Sequence, residues 1–178
     1  MKVIALSKSK THSFSKDNCD RLTLIEGLGI EGDAHMGKTT QHIYQAERYP
    51  DMPNLRQVHL IHEELFSELS TKGFDVSAGE LGENITTSGI DLLSLRRHTI
   101  LKIGDEVQLE ITGLRNPCKQ INALGDGLMN AVLDKNDKGV IVRKTGVMSI
   151  VLKGGEIKVG DLIKVEFPST PFLALETV

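Results

Sequence analysis

Four Gly-Asp steps, Gly32-Asp33, Gly104-Asp105, Gly125-Asp126 and Gly160-Asp161, cut this chain into short apolar segments. Glycine reaches the positive-φ conformations that tight turns require, so these steps mark turns. Between them, Val107, Leu109 and Ile111 alternate with polar residues, the period of a half-buried strand. Val3 to Leu6, Leu22 to Glu26, Val58 to Ile61, Val140 to Thr145, Val147 to Lys153 and Leu162 to Phe167 read as further strands. Gly154-Gly155, between two such runs, reads as a tight turn. Helices are few. His62 to Lys72 places Leu65, Phe66 and Leu69 on one face and meets a stop at Gly73. Two shorter helices are expected over Cys118 to Leu124 and Leu128 to Leu133. The regular strand-helix alternation of a parallel sheet is missing. The expected fold is therefore mainly β, a closed or partly open β-barrel with a few short helices.

Composition removes several functional classes. The 178 residues suit one domain, and a net charge of -3 leaves no global basic footprint for nucleic acid. Tryptophan is absent and aromatics are 4%, which argues against base stacking, so no nucleic-acid partner is expected. No apolar run is long enough to span a membrane, and Met1 to Lys8 lacks the apolar stretch and cleavage site of a signal peptide. Two cysteines do not make a disulfide framework, so a cytoplasmic protein is expected.

One of those cysteines carries the chemical interest. Cys118 lies in Leu114-Arg115-Asn116-Pro117-Cys118-Lys119-Gln120-Ile121, with a cation on either side. Asn116 before Pro117 reads as an N-cap followed by proline at the first helical position. That places the sulfur in a first helical turn, near the positive end of the helix dipole. A thiolate is the reactive form of cysteine, and such surroundings favour it. Against this stands the ordinary role of a free cysteine as a small buried hydrophobe. Cys19, in Asp17-Asn18-Cys19-Asp20, has carboxylates close by and reads as non-catalytic.

Other clusters are weaker. Gly32-Asp33-Ala34-His35-Met36-Gly37-Lys38-Thr39 fits the phosphate-loop pattern G-x-x-x-x-G-K-S/T. Its context is wrong: Gly27 to Glu31 separates it from the strand, and Glu31 and Asp33 put negative charge beside the supposed nest. His35 and His42, with Asp33 and Cys19, match no strong zinc spacing. His59 and His62 read as surface or supporting histidines. In Gly79-Glu80-Leu81-Gly82-Glu83-Asn84-Ile85-Thr86, two glycines allow close backbone approach to a ligand, and Asn84 and Thr86 supply hydrogen-bonding groups. For Gly79, a plain loop into the next strand is favoured. Arg56, Arg143 and Lys144 are candidates for pairing with phosphate or carboxylate if they converge on Cys118.

Taken in order, these pieces resemble the MOSC domain, named for the C-terminal part of molybdenum-cofactor sulfurases. The matching pieces are Gly29-Ile30-Glu31-Gly32-Asp33-Ala34-His35, Arg56-Gln57-Val58, Gly79 to Thr86, Leu95 to Val107, Arg115-Asn116-Pro117-Cys118, and Gly146 to Asp161. They span about 20–166 of a single domain over 1–178, with an N-terminal strand before and a tail from Pro168 to Val178 after. The tail is expected to pack on the barrel or on a second subunit. The resemblance implies a barrel related to the pyruvate kinase β-barrel type and a role around the molybdenum cofactor, molybdopterin.

On that resemblance, Cys118 is the sulfur-carrying residue or a ligand of molybdenum. Asp33, His35, Arg56, Gly82, Glu83, Asn84, Thr86, Arg115, Asn116, Lys119 and Arg143 are the cofactor-binding positions. The chain is read as a standalone version with no pyridoxal phosphate site of its own. Three roles are open. The first is a sulfur carrier or cofactor handler, working with a sulfur-donor protein or a molybdoenzyme. The second is a molybdenum-dependent reductase of N-hydroxylated bases, served by an electron-transfer partner. The third is a non-catalytic cofactor adaptor.

Overall fold

In a computed structural model, which describes residues 1–137, 139–169 and 171–178, the chain is mainly β with a few short helices. The elements in chain order are β1 (Lys2–Lys8), β2 (Asp17–Cys19), β3 (Arg21–Ile25), β4 (Gly29–Ile30), α1 (Ile43–Arg48), β5 (Val58–His62), α2 (Glu64–Thr71) and β6 (Ile85–Ser88). They continue with β7 (Ile100–Ile103), β8 (Val107–Leu114), α3 (Leu128–Ala131), β9 (Leu133–Lys135), β10 (Ile141–Arg143), β11 (Val147–Lys153), β12 (Gly155–Lys158) and β13 (Ile163–Glu166). Short 3₁₀ helices cover Leu92–Ser94 and Lys119–Leu124.

Among the described residues, the largest sheet runs β13-β7-β8-β11-β5-β6-β1-β2, beside a sheet β12-β3-β4 and a hairpin β10-β9. β5 and β6 pair in parallel, and the other described pairings are antiparallel. The large sheet bends until β1 approaches the start of β13. There, Lys2 and Leu162 form an isolated bridge, and the Val3 N–H donates to the Asp161 carbonyl at 2.9 Å. The Gly160 and Ile163 amides also donate to the Val3 and Met1 carbonyls at 2.9 and 3.0 Å, but the contact stops at Ile163, the first residue of β13. Among the described residues the sheets are not closed, so the expectation of a closed or partly open barrel holds only in part.

The main core follows the alternation read from the sequence. Val107, Leu109 and Ile111 of β8 meet Val147 and Val151 of β11, with Val58 and Leu60 of β5, in one buried cluster. β5 is buried on both faces, as a central strand must be when elements cover both sides. Its Ile61 points into a second cluster, with Leu65 and Leu69 of α2, Leu81, Ile121, Leu128 and Val132. That cluster seats the helical segment following Cys118 against the sheet. α2 ends where expected: Gly73 has φ +85°, and the Gly73 and Phe74 amides donate to the Ser70 and Leu69 carbonyls at 3.0 Å each.

Several expectations fail locally. The segment after Cys118 is a 3₁₀ helix with Cys118 itself at the N-cap, so Asn116 does not cap it and the sulfur lies outside the first turn. Gly154-Gly155 is not a hairpin turn. β12 leaves β11 and pairs with β3, and a Cβ at Gly154 would lie 2.6 Å from the Leu24 carbonyl oxygen. The Val140 to Thr145 strand shortens to β10. The tail packs on its own chain: Thr177 bridges Leu114, and the Leu114 N–H donates to the Glu176 carbonyl at 2.7 Å. Arg96 lies over the rings of Phe167 and Phe172, at 5.3 and 5.4 Å. Position 170 of that tail lies outside the described residues.

Candidate functional site

A pocket of about 310 Å³ gathers four segments that are distant in sequence, 12–16, 35–56, 82–84 and 115–120, together with His59 of β5 and Met148 of β11. The first is held there by two glycines. Gly79 and Gly82 have φ +90° and +79°. A Cβ on Gly79 would lie 2.4 Å from the Lys16 carbonyl oxygen, and one on Gly82 would lie 2.7 Å from that of Phe14. The Lys16 N–H donates to the Gly79 carbonyl at 2.9 Å. Both positions therefore need glycine for conformation and for space, and together they press the 12–16 loop onto the pocket wall.

Asp33 is the polar hub beneath the pocket. Its carboxylate accepts from Lys16 Nζ at 2.7 Å, His35 Nδ1 at 3.1 Å, the His35 and Ser9 amides at 2.9 and 3.2 Å, and Asn84 Nδ2 at 3.0 Å. The Lys16 and Asp33 side chains are 4% and 1% exposed, so this is a buried ion pair. Burial pushes the Asp33 carboxyl up, but the hydrogen bonds from His35 and the charge and hydrogen bond of Lys16 outweigh it and hold it well below the usual carboxylate range. Burial pulls the Lys16 ammonium down, against the pull of Asp33. With every described lone-pair direction engaged, Asp33 organises the site and does not face a ligand.

The Gly79 to Thr86 cluster divides in two. Gly82 and Asn84 line the pocket. Asn84 is also structural: its Nδ2 donates to the Ser7 carbonyl at 3.1 Å as well as to Asp33, and its Oδ1 accepts from the His59 amide at 3.2 Å. Glu83 and Thr86 are fully buried behind the wall. Glu83 Oε1 accepts from the Gly79 amide at 2.5 Å and from the Thr86 hydroxyl at 3.2 Å, whereas Oε2 has no partner among the described residues. Burial raises the Glu83 carboxyl above its ordinary value.

Cys118 lies exposed at the pocket margin, its Sγ 3.5 Å from Gln120 Oε1. Burial is the largest influence on the Arg115 guanidinium and lowers it; the charges of Cys118 and Glu83 raise it, and that of Arg56 lowers it. Arg115 Nη1 is buried without a hydrogen-bond partner among the described residues. The Arg115 backbone is fixed by the Gly146 carbonyl at 3.1 Å and by the Thr145 hydroxyl at 3.2 Å. The Thr145 carbonyl in turn accepts from His59 Nε2 at 2.7 Å. Burial, with the nearby Arg115 charge, pushes His59 down to about 3, so it is neutral at physiological pH. Arg56 also lines the pocket and donates to the Val178 carbonyl of the tail. Burial lowers both guanidiniums from their ordinary value.

Not every expected residue reaches the pocket. His35, Arg56, Gly82, Asn84, Arg115, Asn116 and Cys118 line it, whereas Asp33, Glu83 and Thr86 support it from behind. Lys119 is exposed and does not line it. Arg143 contributes indirectly, its Nε donating to Asn116 Oδ1 at 3.0 Å. Lys144 is committed to Glu68 and Asp134, at 2.7 and 2.9 Å. The phosphate-loop match is a series of turns, with no helix opening before Ile43. No cluster of three or more metal-ligating side chains occurs among the described residues. Sequence reasoning missed His12, Lys16 and Tyr44 and set His42 and His59 aside, yet all five line the pocket.

Comparison with known proteins agrees with this architecture. A family profile described as the MOSC domain matches residues 32–164. The YUAD protein from Bacillus subtilis is similar in structure, with TM-score 0.76 and 26% identity, over 92% of this chain and 94% of that one. YiiM from Escherichia coli superposes with TM-score 0.63 at 17% identity, covering 97% of this chain and 73% of its own. YiiM from Geobacillus stearothermophilus gives TM-score 0.65 at 18% identity, covering 97% and 77%. No functionally curated protein matches. No helix among the described residues is long and apolar enough to cross a membrane.

Proposed function

The chain belongs to the MOSC domain family, and from that premise we propose that its pocket binds molybdopterin or its molybdenum form, with Cys118 as the sulfur-handling residue. One observation carries this reading. A guanidinium with a buried, unpartnered nitrogen lines the same pocket as the exposed thiol. An unsatisfied buried donor costs free energy, and a phosphate oxygen is the acceptor that suits it best.

The residues fit such a ligand. Arg115 takes the phosphate, Arg56 adds positive charge at the wall, and Asn116, oriented by Arg143, supplies a polar edge. Lys16 and Asp33 hold the 12–16 loop and His35 in place behind the ligand. When bound, the cofactor supplies the molybdenum redox chemistry. Cys118 supplies sulfur handling. Its thiolate attacks the outer sulfur of a donor protein's persulfide, forming one S–S bond at Cys118 while the donor's S–S bond breaks. The electron pair leaves with the donor cysteine as thiolate, so no external oxidant or reductant is needed. The partner is then a persulfide-bearing sulfur donor, and the recipient is a molybdoenzyme's cofactor.

The test is to incubate the purified protein with a persulfide donor and read intact mass. The reading predicts one added sulfur atom on the native chain and none on Cys118→Ala. Loading that survives in Cys118→Ala, at Cys19 for example, removes Cys118 from this role.

A further inference from the structure

Residues 40–52 leave the body of the protein through a closed neck. The Thr40 amide donates to the Met52 carbonyl at 2.8 Å, the Asn54 amide donates to the Lys38 carbonyl at 2.9 Å, and Thr39 bridges Pro53. Beyond this neck the excursion carries α1, which buries none of its residues. Ile43 and Tyr44 remain 52% and 77% exposed although both line the pocket. Apolar side chains held at a pocket edge, with nothing of their own chain over them, gain when a ligand covers them.

Next to them, His42 Nδ1 is buried and has no hydrogen-bond partner among the described residues. Its ring lies 6.1 Å from that of Tyr44, tilted by 46°. The excursion thus presents an aromatic face beside an unsatisfied imidazole nitrogen. Arg115, whose Nη1 has no partner among the described residues, lines the same cavity. Inorganic phosphate answers only the guanidinium. A flat heteroaromatic ring with a hydrogen-bonding edge answers the aromatic face and the imidazole as well.

We propose that the 40–52 excursion is the specificity element of the pocket. Tyr44 stacks on the ring of a heteroaromatic phosphate, and His42 reads its polar edge. This rests on the reading of the pocket given above and assigns the residues that select the ring over the phosphate alone.

Calorimetric titration of the full chain with inorganic phosphate and with a pterin monophosphate ester tests it. The native chain should bind the pterin ester at least tenfold more tightly than inorganic phosphate. Tyr44→Ala should cut that ratio at least tenfold, and Tyr44→Phe should restore it, because the phenyl face is kept. An unchanged ratio in Tyr44→Ala, or phosphate binding with no preference for the pterin ester, overturns this inference and leaves the pocket reading standing. Binding of neither ligand to the native chain overturns both.

Discussion

Asp33→Asn removes one charge from a buried pair and leaves Lys16, its side chain only 4% exposed, without a counter-ion. The carboxamide keeps one oxygen for the His35 amide and ring, and its NH2 then faces the three donors that Oδ2 held, the Ser9 amide, Asn84 Nδ2 and the Lys16 ammonium 2.7 Å away. Breaking a buried pair from one side costs about 3–5 kcal/mol, because an uncompensated charge stays behind. For a domain of this size that corresponds to a fall in Tm of roughly 6–20 °C. The sign of its pH dependence also follows. Burial already depresses Lys16, and without Asp33 only the weaker pull of the Glu83 charge opposes that depression. The unfolded chain then binds a proton at neutral pH that the folded variant resists. The deficit therefore shrinks as pH rises from neutrality towards the ordinary lysine value, by up to about 1.4 kcal/mol per pH unit. Urea denaturation at pH 7 and pH 9 measures both effects. Lys16→Met added to Asp33→Asn should recover much of the loss, because no buried charge remains. A cost under about 1 kcal/mol for the single variant, or a double variant as unstable as the sum of the singles, refutes the buried-pair argument.

Other outcomes follow from the same geometry. Gly82→Ala combines a positive φ with a Cβ 2.7 Å from the Phe14 carbonyl oxygen. It should cost about 2–4 kcal/mol in chemical denaturation and weaken phosphate binding as the 12–16 loop shifts. His59 is pushed from 6.5 to about 3, so the unfolded state takes up a proton between those values and the folded state does not. Relative to His59→Gln, the native protein should lose about 1.4 kcal/mol per unit as pH falls below 6.5, read from denaturation series at several pH values. Burial raises Glu83, so its ionisation on unfolding favours the unfolded state above the ordinary carboxylate range. Glu83→Gln should therefore gain stability relative to the native protein as pH rises above the ordinary carboxylate value of 4.5, and a gap independent of pH would contradict this.

What could be read in advance depended on how local each cause was. The strands β8 and β11 were legible because each alternates side chains into one core, as Val107, Leu109 and Ile111 do. Helix α1 was not, because a helix that buries nothing carries no apolar stripe to detect. The Arg115 to Cys118 segment was legible as chemistry but misread as structure. Asn116-Pro117 has the signature of a helix start, yet the Asn116 side chain is taken by Arg143 and the helix begins only after Cys118. Lys16 was invisible for a different reason. Its partner lies 17 residues away, and its place depends on the close approach that Gly79 and Gly82 allow from the loop before β6.

The central claim is that the Arg115 guanidinium draws a phosphorylated pterin into the pocket beside Cys118. Its most direct test is the pterin and molybdenum content of the native protein and of Arg115→Met, both purified from a molybdenum-replete host. A charged hydrogen bond is worth about 1.5–3 kcal/mol, so the native chain should carry both components and the variant roughly tenfold less or lower still. Equal content in the two proteins, or none in the native chain, contradicts the account.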